Sequence, residues 1–256
     1  MTELQAGRTG QSLGVPRAGA QSLRSRYRDL LIALIAFIVL ALLPLLTSSK
    51  ALPDFVIRCS AFGLFATSLN LLVGYTGMIS FGHGMFFGLG AYGFGLILQK
   101  TGASIPVAFL ATLAITAVVA VIIGAICVRL KEIYFAFVTL AFQMLIHSTI
   151  LSWVSLTGGD QGLRGGIPRP VFLGIDLSNQ IHLYITSCAL LLIGLLVMRQ
   201  ITQSPFGYTL RMIRDNAGRA SFIGINVWRV KLTIFVLAAL FAATGGVIMS
   251  LFVSGA

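Results

Sequence analysis

Residues 199–231 read RQITQSPFGYTLRMIRDNAGRASFIGINVWRVK, and their charge decides how the rest of the chain is threaded. Arg199, Arg211, Arg214, Arg219, Arg229 and Lys231 stand there against a single acid, Asp215, with apolar runs on both sides. Local signals divide the stretch further. Ser204 is an N-cap residue followed by Pro205 at the first helical position, and Arg211 and Arg214 sit in the last turn of that helix. Asn216 can cap a second short helix that runs through Phe222 and stops at Gly224, a left-handed C-cap. Two short capped helices between spans project from a membrane as a knob. An amphipathic pair lying on anionic headgroups fits the same residues.

Working outward, the chain of 256 residues is 57% hydrophobic and only 10% charged, where soluble domains carry about 25% charged residues. Apolar runs near the ~20 residues that cross a hydrocarbon core recur along it. The expected fold is all-α, a polytopic helical membrane protein with about seven apolar segments, one of them a broken helix. The segments are Leu30–Leu46, Phe55–Val73, Met78–Leu98, Ile105–Val128, Tyr134–Val154, Ile181–Met198 and Leu232–Phe252. Residues 1–29, rich in Gly, Ser, Gln and Arg, read as a disordered basic cytoplasmic tail, and residues 30–256 as one transmembrane domain. No cleavable signal peptide is evident.

The net charge of +11 is topological, because the basic residues sit in the tail and between spans, and nucleic acid is excluded as a partner. With the tail in the cytoplasm, the inner loops 129–132 and 199–231 hold Arg129, Lys131 and the cations of the opening stretch. The outer loops hold only Lys50, Lys100, Arg164 and Arg169. Short cytoplasmic loops carry the Lys/Arg excess, so the path is consistent. Tyr27, Tyr134, Trp153, Tyr184 and Trp228 fall at span ends as an aromatic belt. Cys59, Cys127 and Cys188 lie singly in apolar runs, as buried free thiols rather than a metal site or redox pair.

Two stretches carry candidate chemistry. In SLNLLVGYTGMISFGHGMFFGLGAYGFG (residues 68–95), Gly84, Gly88, Ala91 and Gly95 put small residues on one helical face, and Gly84-x-x-x-Gly88 is the minimal pattern for close helix approach. The same stretch also reads as a broken helix beside a pathway, with Asn70, Tyr75, Thr76, Ser80 and His83 as polar groups at membrane depth. Further on, Thr139, Gln143 and His147 stand four apart as a polar stripe, which bonds across to a neighbouring helix or lines a passage. The outer loop 157–180, long and rich in Gly and Pro, lies over an entrance, contacts a partner or simply links two spans.

No Asp or Glu lies inside a span, since Asp29, Asp54 and Glu132 are at edges, and Arg58 sits one turn inside, where it can snorkel outward. Ion-coupled carriers use intramembrane acids, so this argues against a proton- or sodium-driven carrier. No GxxxxGK[ST] phosphate loop is present. The chain is expected to have no catalytic residues, no metal and no cofactor of its own.

NLLVGYTGMISFGHGMFFGLGAY, YFAFVTLAF, SLTGGDQGL and IRDNAGRASFIGINVWRVKL together, in this order, resemble the permeases of branched-chain amino-acid ATP-binding cassette (ABC) transporters of the LivM type. That resemblance covers most of residues 55–245. It implies an inner-membrane translocation subunit that pairs with a second permease subunit, two cytoplasmic ATP-binding subunits that use the ATP, and a periplasmic amino-acid-binding protein. It also implies that residues 199–231 are the ATPase coupling loop, with Arg211, Arg214, Asp215, Arg219, Ala220 and Gly224 at the positions that dock and turn. Ala217 stands where many members carry an acid, and Glu132 where many carry Gly. The family continues with further membrane segments beyond the position of Ala256, so the chain is expected to be C-terminally short. Permeases of this type also serve urea, amides and aromatic acids.

Overall fold

The computed structural model describes residue 35, residues 51–163 and residues 179–253. The expected tail, the first apolar segment Leu30–Leu46, and Lys50, Arg164 and Arg169 lie outside the described residues, as does most of the loop 157–180. The helices are α1 (Ala51–Thr76), α2 (Gly84–Thr101), α3 (Ile105–Cys127), α4 (Glu132–Ser152), the single turn α5 (Val154–Thr157), α6 (Gln180–Gln203), α7 (Pro205–Phe222) and α8 (Val227–Val253). A 3-10 turn at Gly159–Gln161 follows α5, and no strand occurs among the described residues. Five of these helices (α1, α3, most of α4, α6 and α8) are long and apolar enough to cross a membrane. The protein is a polytopic all-α membrane protein.

The bundle is built around α8, which packs against α1, α2 and α3 and also touches α6 and α7. Lipid is as apolar as a protein core, so spans associate through close packing rather than through escape from water. Helix α8 supplies the small residues for this: Ala238, Ala239, Ala242, Ala243, Gly245 and Gly246 are all buried. A side chain at Gly90 would run into the backbone of Ala243, and one at Gly246 into the backbone of Phe87 and Ala91. The expected approach at Gly84-x-x-x-Gly88 is therefore corrected. Gly88 faces open space, and the backbones of α2 and α8 meet at Gly90 and Gly246 instead. Above this seam Phe235 stacks edge-on between Phe86 and Phe135, at centroid distances of 5.4 and 6.0 Å.

Two further expectations change. Tyr184 is wholly buried instead of standing in an aromatic belt. It lies on the face of α6, with Leu183, Ser187, Cys188 and Gly194, that packs towards α1. Cys59 is exposed on α1, whereas Cys127 and Cys188 are buried. The period of α1 puts Ile57, Ser60 and Ala61 inward and leaves Arg58 and Cys59 on the outer side.

The short turns alternate the helices, so one end of the bundle gathers the C-termini of α1, α3 and α6, the N-termini of α4 and α8, and all of α7. Arg129, Lys131, Arg199, Arg211, Arg214, Arg219, Arg229 and Lys231 are all at this end, which we call the basic face. At the opposite end the Gln180 amide donates to Asp54 (2.6 Å), and the Arg58 guanidinium lies 5.0 Å from the ring centre of Phe252.

Candidate functional site

Helix α1 does not run on into α2. Gly77 adopts a left-handed backbone (φ +73°), a conformation that costs other residues strain. The Gly77 N–H donates to Val73, which completes the last turn, and the Met78 N–H folds back to Leu72. The chain then continues without helix to Gly82. Burial alternates along it, with Met78, Ser80 and Gly82 inward and Ile79 and Phe81 outward, the two-residue period of an extended strand. The expected broken helix is present. The span written as Met78–Leu98 is thus an extended segment followed by an 18-residue helix that starts at Gly84, about 27 Å long at 1.5 Å per residue.

Non-helical backbone at this depth must be covered by protein or water. Thr139 of α4 covers one position: its carbonyl lies so close over Gly82 that no side chain fits there. Thr139 is fully buried and donates its hydroxyl to Ala136 (2.8 Å). One turn on, the Gln143 amide oxygen lies 3.3 Å from where a Gly84 side chain would begin.

His83 closes the segment. Its Nε2 is 2.9 Å from the Ser68 hydroxyl, which itself donates to the Phe65 carbonyl (2.7 Å). A hydroxyl has one proton, so Ser68 accepts here and Nε2 carries the hydrogen. The ring's other nitrogen, Nδ1, is then an acceptor. It is buried without a partner, and so is the Ser80 hydroxyl. Phe65 and Phe86 flank the imidazole with ring centres 5.6 and 5.9 Å away. The break thus presents two unpaired polar groups inside an otherwise apolar bundle. Such groups are rare in folded proteins and call for a water or a ligand.

The sequence-predicted residues divide accordingly. Thr76, Ser80, His83, Thr139 and Gln143 gather around the break, with Tyr75 half-buried beside it. Thr76 turns back to bond the Leu72 carbonyl (2.5 Å). Asn70 is exposed on α1, its amide folded against Gly74. His147 is exposed and stands apart. Each four-residue step on a helix rotates by about 40°, so by His147 the stripe has turned about 80° from Thr139. Ser68 and Gly82 were not singled out from the sequence. A serine in an apolar run and one glycine among many carry no local signal.

On the basic face, α7 is two short helices joined at Asn216, whose backbone is non-helical (φ −162°, ψ 101°). Ser204 accepts from Gly207 N at 3.4 Å, and the Asn216 side chain accepts from Arg219 N at 2.9 Å. Gly224 (φ +86°) then ends the second helix through nested bonds, Gly224 N to Ser221 O (3.0 Å) and Ile225 N to Ala220 O (3.2 Å). The cap residues expected from sequence are the ones that make the caps. Asn226 starts α8 in the same way by accepting from Arg229 N (3.1 Å).

The arginines of this pair differ in direction. Arg211 lies over the Tyr208 ring at 4.5 Å. Arg214 reaches inward, and its guanidinium donates to the Gly74 carbonyl, one of the carbonyls orphaned at the end of α1. Its side-chain stem passes 3.5 Å from where a side chain on Gly77 would begin. A cation at a helix C-terminus is favoured by both the free carbonyls and the helix dipole. Arg214 therefore joins the exposed helix pair to the residues that start the break.

Among the described residues no cluster of His, Cys, Asp or Glu is arranged to hold a metal. The chain is 26% identical over 244 residues to the high-affinity branched-chain amino acid transport system permease protein LivM of Escherichia coli (strain K12), a match covering 85% of this chain and 56% of that protein. The LivM protein of Salmonella typhimurium is 25% identical over the same shares. The probable branched-chain amino acid transport permease protein LivM of Methanocaldococcus jannaschii is 24% identical over 230 residues, 75% of this chain and 65% of that one. The chain thus spans little more than half the length of the first two relatives. No solved structure matches. Residues 51–256 match the family described as branched-chain amino acid transport system / permease component, and with four-fifths of its length inside that match the chain belongs to this family.

Proposed function

We propose that this chain is the translocating subunit of an ATP-driven importer for leucine, isoleucine, valine or a similar amino acid. It works with a second permease subunit, two cytoplasmic ATP-binding subunits and a periplasmic amino-acid-binding protein. It lies in a bacterial inner membrane with the basic face in the cytoplasm, the side to which the Lys/Arg bias assigns it. ATP hydrolysis belongs to the partners. The observation that carries this reading is the bond from Arg214 to Gly74, which ties an exposed, capped helix pair to the beginning of an intramembrane break.

In the proposed cycle the ATP-binding subunits close and push on the Pro205–Phe222 pair. The push reaches the end of α1, and the extended segment 78–82 shifts against Thr139 and Gln143, so the pathway opens to one side and then the other. Driving such an equilibrium from 1:99 to 99:1 takes about 5.5 kcal/mol of differential binding. The unpaired groups at Ser80 and His83 suit a neutral or zwitterionic polar solute. They fit amides or urea as well, so selection among these falls to the binding protein. An ion-coupled carrier is disfavoured because Asp54, Asp160 and Asp215 all lie at helix ends or outside the spans.

The test is affinity purification of the chain from its native membrane, followed by leucine uptake in proteoliposomes. The reading requires ATP-binding subunits in the eluate and uptake that stops without ATP. Recovery of the chain without any ATPase, or uptake driven by an ion gradient alone, contradicts it.

A further inference from the structure

A second polar site lies on the basic face, between the α3–α4 turn and the start of α8. The turn from α3 to α4 is tight, with Leu130 N bonded to Cys127 O (2.9 Å) and Phe135 N to Lys131 O (2.9 Å). Arg129 and Lys131 are consequently held on one rim. The start of α8 brings Trp228 and Lys231 to the other. Between them is an open groove of about 760 Å³, whose lining also includes Ile133 and Tyr134.

Three observations point to one ligand chemistry. Arg129, Lys131 and Lys231 converge on the groove, against Glu132 as the one acid in the sequence of the turn. The Trp228 indole nitrogen, a donor with no acceptor role, is buried and has no hydrogen-bond partner. The Arg129 guanidinium, exposed at the rim, lies 5.5 Å from the centre of the same indole, which holds it beside the groove. The three cations therefore face the groove as partners for an acceptor that carries negative charge. Location supplies the rest. The groove sits at the ends of three membrane-spanning helices, and Ile133 and Tyr134 leave a widely exposed apolar rim beside it. A phosphate with acyl chains satisfies the cations and the rim together, whereas a free phosphate leaves the rim uncovered.

We propose that this groove binds the headgroup of an anionic phospholipid, with Arg129, Lys131 and Lys231 on the phosphate, the Trp228 ring beside it, and the acyl chains against Ile133 and Tyr134. The site is independent of the transport reading, since it needs only the membrane boundary and the groove.

The chain has two tryptophans, so Trp153→Phe leaves Trp228 as the only one, excited selectively over the six tyrosines. The full chain with that substitution is placed in phosphatidylcholine vesicles containing a low fraction of brominated phosphatidylglycerol or, in parallel, of brominated phosphatidylcholine. The brominated anionic lipid is expected to quench Trp228 with a preference of at least about fivefold, the effect of one basic residue near a charged headgroup. Arg129→Gln and Lys231→Gln should each lower the preference about fivefold while leaving quenching by phosphatidylcholine unchanged. Lys231→Gln leaves the α3–α4 turn intact, so it reports even if variants in the turn fail to fold. Equal quenching by both lipids overturns the proposal, as does a preference that survives both substitutions. Displacement of the lipid by soluble glycerol phosphate would assign the groove to a free phosphate ester. Loss of lipid quenching when the ATP-binding partners assemble would assign it to protein docking. Either result overturns the lipid site.

Discussion

Helices α8 and α4 are both apolar spans, yet they are built in opposite ways. In α8, 56% of the spanning window is buried inside the bundle, and in α4 only 17%. Helix α8 meets α2 backbone to backbone through Gly246 and Ala243, whereas α4 reaches the extended segment through Thr139 and Gln143 and leaves most of its surface outside. The difference separates a fixed scaffold from an element with few contacts to break. It also locates the point of least commitment, because the break at 77–83 is covered by α4, the less buried of the two.

The largest effect expected from this contrast is at the scaffold. Gly246→Ala forces a side chain into the backbone of Phe87 and Ala91, and overpacking of this kind costs about 1–3 kcal/mol or more. Gly88→Ala, in the same helical layer but facing open space, should stabilise by up to about 1 kcal/mol through helix propensity. Thermal unfolding of the two variants in detergent measures the pair, and similar stabilities would remove the distinction between seam and open face.

The second effect concerns α4 itself. Gln143→Leu takes a polar group away from the start of α2, while His147→Leu alters an exposed position that has turned away from the break. Uptake should fall about tenfold or more in the first, the loss of one hydrogen bond to a polar solute at 1–2 kcal/mol, and change little in the second. Equal losses would mean that the whole stripe lines the path. A structural effect is expected at the pair Ser68 and His83. Ser68→Ala leaves a buried imidazole N–H unpaired, at a cost of about 1–3 kcal/mol, and the same unfolding measurement reads it. The smallest is at the basic face, where Asn216→Ala removes one helix cap, about 1 kcal/mol, and should lower protection of the Arg219 amide in hydrogen exchange.

What the sequence made legible follows the range of the interaction. The caps at Ser204, Asn216 and Gly224 act over three to five residues, and they are the caps in the structure. Spans and basic loops follow from composition, and the break from glycines set among polar residues. The bond from Arg214 to Gly74 joins positions 140 residues apart, so nothing local announces it. The inward faces were also hard to read. In water a helix declares its buried side by hydrophobic period, but a span is apolar on both its lipid and protein faces. Tyr184 therefore read as a belt residue and Cys59 as a buried one. The Ala-Gly face of α8 carries the same small-residue signal as the glycines of α2, and size is what marks a helix contact against a lipid contact.

The central claim is that the helix pair acts on the break through Arg214. It is tested most directly by Arg214→Gln in the assembled complex, with amino-acid uptake and ATP hydrolysis measured on the same proteoliposomes and Arg211→Gln alongside. A hydrogen bond to a charged group contributes about 1.5–3 kcal/mol. Arg214→Gln should therefore keep its partners and its ATP hydrolysis while uptake per ATP falls about tenfold or more, and Arg211→Gln should leave that ratio unchanged. An unaltered ratio in Arg214→Gln, with the complex intact, would contradict the account.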